Sequence, residues 1–139
     1  TTSSAASDVY KRQIEALSRG SSKVIFVEMN KRNYSTLSVN LKKLDVKDKS
    51  KIFFKDAFTW IRNYDLSEID LIFLDPPFNK EHVVKALKLL IRKNDLKSSC
   101  KIYLEYSKYD EIEIPKEFKI LKEKSVGDVK ALLLIKNEN

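Results

Sequence analysis

The chain is poor in the residues that bend, cross-link or coordinate. Its 139 residues include two glycines, three prolines, one cysteine and one histidine. A single thiol, Cys100, excludes an internal disulfide and suits a reducing compartment. It lies beside a predicted strand, so it reads as a buried structural residue and not as a nucleophile. His82 has no Cys or His at ligand spacing, so no metal site is expected; the residue is expected at the surface, in the first turn of a helix. No apolar run approaches the roughly 20 residues of a membrane helix, and no secretory signal is visible. The expectation is a cytoplasmic protein with no membrane partner.

What is present is an ordinary globular composition, 42% hydrophobic and 34% charged. That suits one soluble domain. The formal charge is +7 and the pI about 9.4. A balance of that size favours a polyanionic partner such as nucleic acid. A lysine-rich proteome produces the same balance without such a partner.

Residues 1–13 do not read like the rest. Ser3 to Gln13 resembles the in-frame translation of a transposase adapter used in sequencing libraries. The segment is expected to be non-native and is left out of the fold reading, with a disordered arm as the alternative. The domain then runs over 14–139.

Along that domain, strands and helices alternate. Ile14–Arg19 reads as a helix tail capped by Gly20. Lys23–Val27 reads as a strand ending at Glu28. A helix begins after Asn30, with Tyr34, Leu37, Leu41 and Leu44 at helical spacing. Lys51–Lys55 is a short strand stopping at Asp56, and Ala57–Asn63 a short helix. Ile69, Leu71, Ile72, Phe73 and Leu74 form an apolar strand of the kind buried on both faces of a parallel sheet. A helix runs from Asn79 to about Lys93, with Val83, Leu87, Leu90 and Ile91 facing inward. Lys101–Glu105 is a further strand. Phe118–Lys124 and Asp128–Ile135 form a closing hairpin that turns at Gly127. The pattern predicts an α/β, doubly wound, mostly parallel sheet with an antiparallel edge.

The most informative stretch follows the apolar strand: Asp75-Pro76-Pro77-Phe78. Two prolines make a stiff exit that cannot pair onward as a strand. Ligands of open α/β sheets sit at the carboxyl ends of strands. Polar acceptors and an aromatic plate there suit a flat ring bearing an NH2 group. Acids also stand at two other strand ends, Glu28 and Asp56. Their bland readings are a helix-dipole partner and a helix N-cap; that of the tetrapeptide is a strand-terminating turn.

The Asp-Pro-Pro-Phe motif resembles the (N/D)-PP-(Y/F) signature of S-adenosylmethionine-dependent amino-methyltransferases. Added to Glu15-Ala16-Leu17-Ser18-Arg19-Gly20, Val27-Glu28-Met29-Asn30, Asp56-Ala57 and Ile102-Tyr103-Leu104-Glu105, it makes the chain from Ile14 to about Lys136 similar to the RsmD family. That resemblance implies a class I (Rossmann-like) methyltransferase fold and S-adenosylmethionine as cofactor. The implied reaction is methylation of the exocyclic N2 of a guanine in 16S ribosomal RNA or an assembly intermediate of the small subunit, by a monomer without metal. Glu28 is then expected on the cofactor ribose, Met29 on the adenine face, and Asp56 with the Ala57 N–H on the adenine edge. Asp75 stands where cofactor and substrate meet. Asp75 and the Pro76 carbonyl would accept from the target amine, Phe78 would stack on the base, and Pro77 and Asn79 would line the substrate side. Lys80, Lys85, Lys88, Arg92 and Lys93 are either a phosphate-contacting surface or a solvated helix face. In the family a central first strand and a glycine-rich turn precede the helix that ends at Gly20. Residues 1–13 stand there instead, so an N-terminal truncation with impaired cofactor binding is expected. Two rivals stand: a DNA or protein amino-methyltransferase with the same motif, and an inactive RNA-binding module.

Overall fold

The computed structural model describes residues 24–28, 50–54, 57–75 and 80–138. In chain order the elements are β1 (Val24–Glu28), β2 (Ser50–Phe54), α1 (Ala57–Asn63), β3 (Leu71–Asp75), α2 (Lys80–Ile91), β4 (Lys101–Ser107), β5 (Phe118–Val126) and β6 (Val129–Lys136). The strands form one sheet in the order β2-β1-β3-β4-β6-β5. The first four pair in parallel, and β6 and β5 add antiparallel at one edge. This is the doubly wound, hairpin-closed sheet that the alternation of elements predicts. The expected helix after Asn30 and the one ending at Gly20 lie outside the described residues.

β3 carries no charge until its last residue, and Leu71, Ile72, Phe73 and Leu74 are all buried. A strand covered on both faces gains from an unbroken apolar run, because each large side chain removed from water contributes about 1.5–3 kcal/mol. On one face, Ile72, Leu74, Ile102, Leu104, Leu132 and Leu134 meet the helices in one core. α2 supplies Val83, Ala86, Leu87 and Leu90, the i, i+3, i+4, i+7 stripe of an amphipathic helix. α1 supplies Phe58, Trp60 and Ile61.

Buried and half-buried polar ties fix the connections. The Leu66 N–H donates to Asp95 Oδ2 at 2.9 Å. Lys97 Nζ pairs with Asp70 Oδ1 at 2.7 Å, pinning the loop before β4 to the start of β3. Lys136 Nζ donates to the carbonyls of Ile91 (3.2 Å) and Lys93 (3.4 Å). A cation on the last carbonyls of a helix satisfies acceptors that have no partner within it.

Three expectations need adjustment. β4 runs two residues past Glu105, because Tyr106 and Ser107 pair with Lys130 and Val129. His82 lies in the first turn of α2 as read, but it is half-buried, not on the surface; its ring stacks on Phe58 with centroids 5.8 Å apart. Lys93 is not a free surface cation, since its Nζ donates to the Tyr64 carbonyl at 2.8 Å and lies 3.7 Å from Asp95. Cys100 is fully buried next to β4, and burial pushes its thiol up to about 12.

Candidate functional site at the carboxyl edge

Parallel pairing aligns the carboxyl ends of β1, β2 and β3. The register sets Glu28 beside Phe54 on one side and beside Asp75 on the other. Neighbouring strands lie about 4.8 Å apart. The two acids singled out at strand ends therefore occupy one rung of adjacent strands. Ala57, three residues past the end of β2, opens α1 at the same edge. Met29, Asp56, Pro76, Pro77, Phe78 and Asn79 lie outside the described residues.

β1 is hydrogen-bonded directly to β3 over five rungs, from Val24 with Leu71 to Glu28 with Asp75. No strand stands between them. The two acids are next neighbours.

A residue the sequence reading left without a role lies beside this rung. Glu105 is a buried charged side chain, 6% exposed. Tyr103 Oη donates to Glu105 Oε1 at 2.7 Å. The Tyr103 ring packs on Phe73, with centroids 5.1 Å apart and planes tilted by 54°. Phe73 stands two residues before Asp75, on the same face of β3. The last paired rung of β3 and β4 is Leu74 with Leu104, so Asp75 and Glu105 each follow it directly. A buried carboxylate needs hydrogen-bond donors, and the Tyr103 hydroxyl is one. The signal available in the sequence was the spacing of Tyr103 and Glu105, which puts both on one face of a strand.

The cations of α2 divide by surroundings. Lys85 Nζ lies 4.4 Å above the Phe58 ring. Lys85, Lys88 and Arg92 line an open groove with Arg62 and Lys116, but Glu81, Glu111 and Glu113 line it too. Its charge is mixed. Among the described residues no group of three His, Cys, Asp or Glu side chains is placed to hold a metal. No helix among them is long and apolar enough to cross a membrane.

An open parallel sheet with an antiparallel hairpin, and acids at the carboxyl ends of its strands, defines a protein of the class I methyltransferase fold. A Haemophilus influenzae structure provisionally described as a methylase superposes with a TM-score of 0.66 at 31% identity, covering 90% of this chain and 79% of that one. The model of a family described as "conserved hypothetical protein 95" matches residues 11–135. The chain belongs to that family, the RsmD family. It is 30% identical over 122 residues to ribosomal RNA small subunit methyltransferase D of Buchnera aphidicola, covering 88% of this chain and 63% of that protein. It is 32% identical over 117 residues to the protein of the same name from Haemophilus influenzae, covering 83% and 61%. The chain thus spans about three-fifths of the length of these relatives.

Proposed function

We propose that the protein transfers a methyl group from S-adenosylmethionine to the exocyclic N2 amine of a guanine in 16S ribosomal RNA, working in the cytoplasm as a monomer. The observation that carries this reading is the shared rung of Glu28 and Asp75 at the carboxyl edge. It gains support from curated relatives named for ribosomal RNA methylation.

The acceptor chemistry fits a nucleoside cofactor. A carboxylate at the end of β1 can accept both hydroxyls of a ribose diol. Asp56 and the Ala57 N–H offer an acceptor and a donor for an adenine edge, and Met29 an apolar surface for its face. When bound, S-adenosylmethionine supplies an electrophilic methyl group, and that part of the chemistry belongs to the cofactor. The chain's own task is alignment. The lone pair of an aryl amine is conjugated with its ring and is a poor nucleophile. The Asp75 carboxylate and Pro76 carbonyl, accepting from the two amine hydrogens, would draw the nitrogen out of conjugation and aim its lone pair. Phe78 would hold the extruded base by stacking. Positioning of this kind is worth about 7–11 kcal/mol in well-oriented reactions. The amine proton becomes acidic only as the new bond forms, so Asp75 need not be a strong base.

Replacing Asp75 with Ala is expected to lower methyl incorporation into small-subunit ribosomal RNA by at least about 100-fold, with RNA affinity held within about twofold. Faster methylation of duplex DNA or of a protein by the unaltered enzyme would sink the RNA reading. Equal turnover in the variant would remove Asp75 from the chemistry.

The direct pairing of β1 with β3 has its own consequence. It leaves no strand end between Glu28 and Asp75 to carry a glycine turn. Titration calorimetry of the 139-residue chain with S-adenosylmethionine is therefore expected to give a Kd weaker than about 1 µM. Tighter binding would contradict this account of the seam.

A further inference from the structure

The sheet ends in a strand unlike the others. β5 is exposed from Lys119 through Ser125, although its partner β6 is buried over Ala131–Leu134. Between Ile120 and Lys122 the β5–β6 register shifts, with Leu121 as the extra residue. In an unbroken strand Lys119 would face opposite to Lys122 and Lys124, because side chains alternate. The shift changes this: Lys119 pairs with Ile135, Lys122 with Leu133 and Lys124 with Ala131. Those three β6 positions share one face, so the irregularity gathers three lysines onto that face. An inserted residue of this kind re-aims the side chains that follow it.

That face is the one on which Asp75 stands in the register. Phe26, Phe73, Tyr103, Leu133 and Lys122 form a continuous row across five strands. Lys124 is one step nearer the carboxyl edge, in the row of Ala131 and Glu105. From β3 to β5 is three strand spacings, about 14 Å. The acid of β5, Glu123, pairs with Leu132 in register, which puts it on the opposite face; there it is ion-paired with Lys130. Lys119, Lys122 and Lys124 make no ion pair among the described residues. These three exposed lysines have no acid of β5 beside them on their face, where the nearest acids in the register are the buried Glu105 and, further in, Asp75, in contrast to the mixed groove along α2. Beyond the end of β4, at the carboxyl edge, Tyr109 is 71% exposed and its hydroxyl donates to Asp128 at the hairpin turn, 3.1 Å away.

We propose that the lysine face of β5, Lys119, Lys122 and Lys124, binds the phosphate backbone of the RNA whose target base is presented at Asp75. This inference rests on the function proposed above and adds the surface that holds the substrate. Cations spaced along a strand suit a polyanion, and they position it without reading its sequence. Phe73, Tyr103 and Leu133 are buried in the row between, so the RNA would contact only the exposed β5 edge and pass from it along the carboxyl ends of the strands toward Asp75.

The test is a salt titration of binding between the full chain and transcribed small-subunit ribosomal RNA. Each phosphate contact contributes about 0.7–0.9 to the slope of log K against log salt. The triple variant Lys119→Gln, Lys122→Gln, Lys124→Gln is expected to lower the steepness by about 2 and to bind at least about tenfold more weakly at 0.1 M salt. Each single variant should lower the slope by a little under 1, and a triple Lys→Arg variant should restore it. The control Lys85→Gln, Lys88→Gln, Arg92→Gln along the groove of α2 and the turn after it should change the slope by less than the β5 set. Unchanged slope and affinity in the β5 variants, with the unaltered chain binding normally, would overturn the surface and leave the proposed function standing. A larger loss from the α2 set would move the RNA to the other face of the sheet and also overturn it. Aggregation of the β5 variant with no change in the slopes of the single variants would assign the lysines to guarding the edge instead. An unaltered chain with no salt-dependent RNA binding would remove both the surface and the RNA substrate.

Discussion

β3 and β5 are strands of one sheet that obey opposite rules. β3 is central, parallel and buried, and its sequence Leu71-Ile72-Phe73-Leu74 is uninterrupted hydrocarbon before the terminal acid. β5 is an antiparallel edge with a shifted register, three lysines on one face and a glutamate on the other. The first strand is specified by what must be removed from water. The second is specified by pairing with β6 on one side and by solvent on the other. One strand therefore carries stability and positions the acid at its end, while the other, past the buried Phe118 that anchors it, is exposed from Lys119 through Ser125 and tolerates change there.

Ile72→Ala tests the first half of this contrast and carries the largest expected effect. Ile72 is fully buried against the helices. Its truncation should cost about 2–5 kcal/mol in urea unfolding. Ile120→Ala in β5, where the side chain is 44% exposed, should stay within about 0.5 kcal/mol of the unaltered protein. Similar losses at the two positions would break the comparison.

A smaller effect comes from the start of β4. The Cys100 thiol is raised from its ordinary 9.0 to about 12 by burial, which disfavours the thiolate. The folded state holds this proton more tightly than the unfolded chain. The contribution is complete below pH 9 and is lost as pH rises from 9 toward 12. The unfolding free energy of the unaltered protein, from urea titrations, should fall between pH 9 and 10.5 more steeply than that of Cys100→Ala, by up to about 1.4 kcal/mol per pH unit. Parallel pH profiles would show that the thiol does not titrate with folding.

The smallest effect is at the hairpin turn. Gly127 has φ +57, in the left-handed region, and a Cβ added there meets nothing within 4 Å. Gly127→Ala should therefore cost only the backbone strain of an L residue, about 1 kcal/mol. A loss several times larger would mean that the turn bears on the core and not merely on the edge.

The sequence was legible wherever periodicity and burial agree. α1 falls at Ala57–Asn63 as read, and Val83, Leu87 and Leu90 of α2 face inward as their spacing predicts, with Ala86 completing the stripe and Ile91 only half-buried. The turn at Gly127 follows from a glycine between two apolar runs. What escaped was tertiary. A glutamate in a strand reads as wet, and Glu105 is buried beside a tyrosine hydroxyl two residues away. Three lysines in Lys119–Lys124 read as scattered until the extra residue at Leu121 aligns them. His82 reads as surface because nothing local marks Phe58, which lies 24 positions earlier, as its stacking partner. At the candidate site, the strand-end acids were visible as residue types, and their common rung needed the register of β1 on β3.

The ladder between β1 and β3 also bears on the order of events. Its rungs lock together at both ends, and each hydrogen bond contributes about 1 kcal/mol net while leaving buried groups unpaired costs more. Parting such a seam in the finished sheet means breaking all of it at once. Any strand that is to lodge there must arrive before the sheet closes, so what occupies the middle of this sheet is decided during folding and not by later exchange.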